Sequence, residues 1–429
     1  MTHDPYVALR LGTFRRYLAG HVLAVLGQGM LAVAVGWELY ERTGSAFALG
    51  IVGLAQVLPL VLFVLPAGQL VDSADRRRVL MLAEGAIALA ALGLVAASRL
   101  EAPIAVYYVL LALYGTGRTF QLPAKQAILP NLVPLPAFTN AVAWNSGGWQ
   151  AADVIGPALG GFLIAWTGSA AWVYLVCAVA ALTFVALLYP IRISGGAPTG
   201  RRVSWSGLLE GVRFVRGSPV LLAAMSLDLF AVLLGGVVAL LPIFAKDILH
   251  VGPAGLGWLR AAQSLGAVST SVAVAHRPPF RRAGPALLSA VTGFGLAMVV
   301  FGFSKSFVLS FVTLFAAGAC DAVSVVIRLA LAQLETPDFL RGRVSAVNGF
   351  FIGMSNELGE FESGMLAGLI GPVAAVVAGG VGVLAVVGAV SATWPELRHL
   401  GMLGHPPSRS PDLGRPIIAQ PPPGSREPA

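Results

Sequence analysis

Gly68-Gln69-Leu70-Val71-Asp72-Ser73-Ala74-Asp75-Arg76-Arg77-Arg78 joins two long apolar runs, 47–71 and 79–98. Each run is long enough for a helix to cross the hydrocarbon core of a bilayer, which takes about 20 apolar residues. A turn of two acids and three consecutive arginines between such runs marks a membrane border. Arginine accumulates on the cytoplasmic side of spans.

The same alternation extends in both directions. Apolar segments run over 17–40, 47–71, 79–98, 104–127, 138–166, 171–190, 220–245, 254–275, 285–304, 307–331, 344–369 and 372–394. The composition agrees: 57% of the 429 residues are hydrophobic and 11% charged, with mean hydropathy +0.80. A soluble domain carries about 25% charged residues. A soluble enzyme, a disordered protein and a coiled coil are thereby excluded. Arg10, Arg15 and Arg16 precede a first span too long for the core of a signal peptide, so no cleavable leader is expected. Cys177 and Cys320 both lie in apolar runs, so neither a disulfide framework nor a metal cluster is expected.

The basic residues orient the chain. With the N-terminus in the cytoplasm and the spans alternating, 22 of the 28 basic residues fall on or beside cytoplasmic segments. Only Arg42, Arg99, Lys246 and Lys305 fall outside, and Arg118 and Arg260 lie within spans. This predicts an even number of spans with both termini inside, in the inner cell membrane. The net charge of +8 then reflects topology, and nucleic acid is not an expected partner.

Four regions follow: a six-span half at 1–190, a linker at 191–219, a second six-span half at 220–394 and a tail at 395–429. The linker opens with Ser194-Gly195-Gly196-Ala197-Pro198-Thr199-Gly200, which reads as flexible. Trp205, Leu208, Leu209, Val212 and Val215 then recur at helical spacing near Arg202, Arg213 and Arg216, predicting a short amphipathic helix on the cytoplasmic surface. The tail carries eight prolines from Gly404 onward and is expected to be disordered.

The two halves repeat each other. A shift of 203 residues superposes Gly115 on Gly318, Lys125 on Arg328, Pro134 on Pro337, Asn145 on Asn348, Gly156 on Gly359 and Gly161 on Gly364. In the earlier spans a shift of 207 superposes Leu49-Gly50 and Gln56 on Leu256-Gly257 and Gln263, and His21 on Asp228. Two six-span repeats in the same orientation imply an axis along the membrane normal. In such architectures the substrate site lies near mid-membrane between the halves, and rocking exposes it to alternate sides.

Acids within apolar spans are the chemical candidates: Glu38, Glu84, Asp153, Asp228, Asp321, Glu357, Glu360 and Glu362. An acid at a helix centre costs about 2.5–3.5 kcal/mol on insertion, so it faces a cavity, pairs with a cation or carries a proton. In span eleven Glu360 lies about 60° around the helix from Glu357, with Gly353 and Gly364 on the same face and Glu362 about 140° away. Two carboxylates that close do not both ionise cheaply. Glu357 and Glu360 are therefore read as a proton or substrate-cation site, with a structural pair bonded to arginine as the equal alternative. Asn145, Trp149, Asp153, Gly156 and Gly160 form one stripe of span five, either a cavity wall or a packing seam. Arg118 superposes on Asp321 under the 203-residue shift. It needs an acid or an anionic substrate, and Asp153 and Glu38 are its expected partners, in alternation with substrate. Arg260 is a second potential cavity cation. Trp37 and Tyr40 are interface anchors or cavity aromatics.

The turn at Gly68–Arg78 resembles the signature loop of the major facilitator superfamily in its glycine, Asp72 and basic run, with Ser73 at a position usually occupied by arginine. The resemblance implies that Gly68, Asp72, Asp75, Arg76, Arg77 and Arg78 form a loop that locks and releases the cytoplasmic face. The stretches from Gln28 to Tyr40, Pro123 to Pro130 and Ser355 to Gly364 resemble the enterobactin-exporter-like branch of that superfamily. Gly156-Pro157 with Gly160-Gly161 is similar to the fifth-helix motif of its antiporters. The likeness extends from about residue 10 to 395 and implies proton-driven export of a siderophore-like or drug-like molecule.

What is missing narrows the energy source. The chain has three lysines and no Gly-x4-Gly-Lys-Ser/Thr, so ATP is not expected to drive it. An ion or substrate gradient remains, at about 2.3 kcal/mol per charge for each 100 mV. The expectation is a monomeric all-α transporter of twelve transmembrane helices in two pseudo-symmetric halves, without cofactor or metal, whose partners are protons, a small-molecule substrate and the lipid bilayer. An importer or facilitator, an intramembrane enzyme and an inert sensor are the competing readings.

Overall fold

The computed structural model describes residues 4–191, 205–278 and 280–401. The glycine-rich part of the linker and the proline-rich tail from Gly404 lie outside the described residues. Twelve long segments cross the molecule: α1 (Gly12–Thr43), α2 (Ala46–Ser73), α3 (Arg76–Arg99), α4 (Ile104–Ile128), α5 (Leu135–Thr167), α6 (Ala171–Leu188), α7 (Pro219–Leu234, continued irregularly to Ile248), α8 (Gly252–Ala275), α9 (Ala283–Phe303), α10 (Phe307–Glu335), α11 (Asp338–Ile370) and α12 (Pro372–Thr393).

Among the described residues, eight of these are long and apolar enough to span a membrane by length and composition. The other four, α4, α5, α8 and α11, carry Arg118, Asp153, Arg260 and the Glu357–Glu362 run. Backbone polar groups inside a bilayer must be satisfied within the segment, which makes helix the outcome for every apolar run.

The packing repeats as the sequence does. In the first half α1 packs on α5 and α6, α2 on α4, and α3 on α4 and α6. In the second, α7 packs on α11 and α12, α8 on α10, and α9 on α10 and α12. Gly115 of α4 lies on the Gln56 backbone of α2, where an added Cβ would meet it at 3.1 Å. The superposed residues Gly318 and Gln263 make the same contact in the second half. Two seams join the halves, α2 with α11 and α5 with α8. Glycine meets glycine in each, Gly50 on Gly364 and Gly257 on Gly161. The repeat exchanges these two contacts, since Gly50 superposes on Gly257 and Gly161 on Gly364.

The helix ends lie on two faces. Gly44 and Gly168 end α1 and α5 at φ +59° and +70°, a conformation that glycine takes without penalty, on what we call the far face. Residues near both chain ends meet the opposite, terminal face. Asn140 at the start of α5 accepts from the Ala8 amide at 3.1 Å, and the Ala283 amide at the start of α9 donates to Gly401 at 3.1 Å.

Three expectations need correction. The seventh span is not one helix. At Gly235 the backbone leaves helical geometry (φ −90°, ψ 17°), and Gly236 admits the Gly359 carbonyl of α11 where no Cβ would fit. The chain resumes as 3-10 turns over Val237–Leu240, a short turn at Leu241–Ile243 and a π turn over Phe244–Ile248. Second, α10 continues to Glu335 and α11 begins at Asp338, because polar residues at the membrane border extend a helix without extending its apolar run. Third, the linker helix, Trp205–Gly217, does not only face the surface. Gly211 sits against the Arg343 carbonyl and the Val347 side chain, Glu210 pairs with Arg343 at 2.5 Å, and Val215 is buried. It is bound to α11.

Candidate functional site

The site is built at mid-depth where α4 and α11 both pack on α2. Arg118 projects from α4. One of its terminal nitrogens donates to Gln56 Oε1 of α2 at 3.2 Å and to Glu357 Oε1 of α11 at 3.1 Å. Its guanidinium carbon also lies 5.9 Å from the Tyr114 ring centre. The Arg118–Glu357 pair therefore joins the two halves. Although it sits mid-helix among three helices, the Arg118 side chain is 46% exposed, whereas Glu357 is 15% exposed.

Glu357 is not alone. Glu360, one turn on, shares the face toward α2: a Cβ on Gly53 would meet the Glu357 carbonyl and lie 3.0 Å from Glu360 Cβ. Gly353 and Gly364 contact Leu60 and Gly50 of the same helix. Arg260 of α8 lies within Coulombic range of both Glu357 and Glu360. Two cations and two carboxylates, drawn from both halves, thus lie within Coulombic range of one another. Paired charges of this kind are tolerated inside a membrane because each offsets the desolvation of the other. Glu362 points away from the cluster's helix face and accepts from Ser363 at 3.4 Å.

The α5 stripe divides. Gly156 and Gly160 pack on α1, where added Cβ atoms would lie 2.8 Å from the Leu26 carbonyl and from Met30 Cα. Pro157 lies against Gly29 of α1 and, through its carbonyl, against Gly257 of α8, and Gly161 also meets α8. Asp153 accepts a 2.7 Å hydrogen bond from Ser264 of α8, a second polar link between the halves. Trp149 is exposed, and Asn145 has a buried carbonyl oxygen without a partner. The helix-five glycines are thus a packing seam, and Asp153 with Trp149 lies beside it.

Two expected cavity acids are elsewhere. Glu38 is buried in the first half, accepting from Tyr107 and Tyr174 hydroxyls at 2.8 Å each, while Arg42 donates to Tyr107 at 2.9 Å. It does not reach Arg118. Asp321 lines a small crevice inside the second half with Asp228, Ser324, Cys320 and Phe294. Arg118 accordingly bonds Glu357 in place of the expected Asp153 or Glu38. The reason is depth and azimuth: which acid faces Arg118 depends on how the halves dock.

The loop after α2 is bonded within the first half. Asp75 caps α3 by accepting from the Arg77 amide at 3.0 Å and pairs with Arg78 at 3.6 Å. Arg76 donates to the Ala127 carbonyl at 3.4 Å, and Arg77 to the Ile191 and Tyr189 carbonyls at 2.9 and 2.6 Å. Asp72 is half-buried within Coulombic range of Arg76. Gly68 lies in the last turns of α2.

Sequence reasoning missed three contributors. Gln56 was visible only as a repeat position, and Ser264 carried no signal. Asp247 read as part of an outside loop, yet the Tyr40 hydroxyl donates to its carboxylate across the halves, with Lys246 5.9 Å from the Tyr40 ring. Among the described residues no group of His, Cys, Asp and Glu is arranged to hold a metal.

Comparison with known proteins follows the same lines. The family described as transmembrane secretion effector matches residues 3–405. The enterobactin exporter EntS of Escherichia coli (strain K12) is 28% identical over 392 residues, covering 90% of this chain and 92% of that protein. The multidrug efflux pump Tap of Mycolicibacterium fortuitum is 30% identical over 394 residues, covering 89% and 95%. A solved structure of the peptide transporter POT in complex with sulfate superposes with TM-score 0.71 at 11% identity, over 94% of this chain and 100% of that one. A bacterial homologue of the human lysosomal transporter Spinster, inward-facing and occupied, gives 0.69 at 14% identity, over 92% and 99%.

Proposed function

This chain belongs to the transmembrane secretion effector family of the major facilitator superfamily, and from that premise we propose that it is a proton-driven exporter of a small organic molecule. It is a secondary transporter and not an enzyme. The observation that carries the finer reading is the Arg118–Glu357 pair, a charged contact between halves with a half-exposed guanidinium at mid-depth.

The cycle follows from charge balance. With Arg118, Arg260, Glu357 and Glu360 together, the cluster is neutral and the halves attract. A proton on either carboxylate leaves a net cation and weakens the contact. A substrate bearing an acidic group then pairs with Arg118 in place of Glu357. Substrate and proton so compete for one cluster, which is the requirement for exchange. The glycine contacts Gly50–Gly364 and Gly161–Gly257 seal the far face in this conformation, and the loop at Asp72–Arg78 would lock the terminal face in the other. We place the termini in the cytoplasm, from the distribution of arginines, and read the protein as a monomer. The relatives' names suggest siderophore-like or drug-like cargo.

The test is flux in proteoliposomes with an imposed pH gradient, using enterobactin as the probe. Accumulation that collapses when the gradient is dissipated supports the exporter. Movement independent of the gradient would make the protein a facilitator, and uptake in symport with protons would make it an importer.

A further inference from the structure

The first half contains a second titratable cluster, away from the seams between the halves. Glu84 of α3 is fully buried. Its Oε1 accepts from Gln121 at 2.6 Å and faces Lys125 Nζ at 3.7 Å, both on α4, while its Oε2 has no partner. His21 of α1 is 5% exposed, and its Nδ1 has no partner either. Tyr17 joins the two: its ring stacks on His21 at 5.8 Å, and it lies in Coulombic range of Glu84. Lys125 lies in Coulombic range of His21 and 5.7 Å over the Phe184 ring of α6.

The repeat shows what is unusual here. Lys125 superposes on Arg328 and His21 on Asp228. In the second half these equivalents form a direct buried ion pair at 2.6 Å, and Ser324 accepts from the same guanidinium at 3.4 Å. Arginine does not lose its proton in a protein, so the cation of that pair is fixed and only its acid can titrate. In the first half the acid of the pair is replaced by histidine, the cation by lysine, and a carboxylate enters from α3 at longer range. The fixed cation is thus replaced by a titratable one, and the acid that faces it comes from α3. An orphaned buried polar atom is costly, and two of them in one cluster need a proton, a water or both.

We propose that Glu84, Lys125 and His21 form a proton-binding site within the first half, separate from the Arg118–Glu357 cluster. The proton binds at Glu84 Oε2, the oxygen that lacks a donor, and forms one O–H bond. The resulting carboxylic acid donates to His21 Nδ1, directly or through one water, and Lys125 is left as an uncompensated ammonium. The site's charge rises from zero to plus one. The charged or polar groups facing Glu84 are Tyr17 on α1, Gln121, Lys125 and Tyr114 on α4, and Cys177 on α6, with His21 and Arg118 in Coulombic range of Lys125. The ligand is a proton, so the site is independent of cargo and of the direction of transport.

The experiment is acid-minus-alkaline infrared difference spectroscopy on the full-length protein in lipid nanodiscs, without substrate. The wild type should show a carboxylic C=O band that Glu84→Gln removes and Glu357→Gln leaves in place. A second variant, Lys125→Arg, fixes the neighbouring cation as in the second half and should shift the Glu84 component of the band, whereas a structural role for Glu84 would leave it unmoved. A difference spectrum that Glu84→Gln leaves unchanged overturns the proposal, and any separate component that Glu357→Gln removes belongs to the cluster between the halves. Failure of pH-driven flux in the wild type would sink the exporter reading but leave this band unaffected.

Discussion

Tyr40 and Asp247 occupy equivalent positions in the two halves and are hydrogen-bonded to each other. They are 207 residues apart, the offset that superposes α2 on α8. Equivalent residues of two repeats touch only close to the axis that relates them. The pair therefore marks where the pseudo-two-fold axis leaves the far face, and the halves are latched at that point. Tyr40 is neither a lipid-interface anchor nor a cavity wall.

Tyr40→Phe should loosen that latch. A hydrogen bond to a partly exposed carboxylate contributes about 1 kcal/mol, or about fivefold in the balance between conformations. Spin labels on Glu101→Cys and His250→Cys, with Cys320 replaced by serine, would read the far-face separation by pulsed electron resonance. The longer distance should gain population. An unchanged distribution would remove the latch.

Gly50→Leu or Gly161→Leu should prevent the far face from closing. A methyl on Gly50 would already lie 3.0 Å from the Phe361 carbonyl and 3.1 Å from Gly364 Cα. Overpacking at such points costs about 1–3 kcal/mol, so the population should move about 5- to 150-fold toward the far-face-open state. The same labels check it, with expression and folding monitored by size-exclusion chromatography. Wild-type flux in both variants would show that the seams do not separate during transport.

Arg118→Gln should abolish accumulation while leaving insertion and folding intact, because the guanidinium is half-exposed and supports little packing. Glu357→Gln should uncouple: exchange of labelled for unlabelled probe persists and pH-driven accumulation is lost. Gradient-driven flux at the wild-type rate in Arg118→Gln would remove the cluster from the mechanism.

Glu38→Gln tests the reassignment of that acid. Its two tyrosine donors bind a buried carboxylate, and hydrogen bonds to charged groups contribute about 1.5–3 kcal/mol each. The variant should lower Tm in detergent while leaving the apparent KM for the transported probe unchanged. A raised KM at constant Tm would return Glu38 to the transport path.

Much of the site was legible, for reasons that differ by residue. Glu357 and Glu360 share a helix face because a helix turns by a fixed angle, so sequence spacing alone placed them together. The seam glycines were visible as repeat positions, and their contacts follow the repeat. Glu38 and Asp321 were misplaced because an acid in an apolar span signals only that some partner exists. Asp247 was read as a loop residue because its partner lies in the other half.

Residue order determined that this chain is a membrane protein of long helices, that its halves repeat, and which face of each helix is polar. Those properties depend on hydrophobic run length and helical period, both local to the chain. The pairing of Arg118 with Glu357 rather than Asp153, the enclosure of Glu38 by two tyrosines and the latch between Tyr40 and Asp247 came only with the tertiary structure. Each depends on the relative height and rotation of packed helices, which are set by side-chain contacts between segments far apart in the chain.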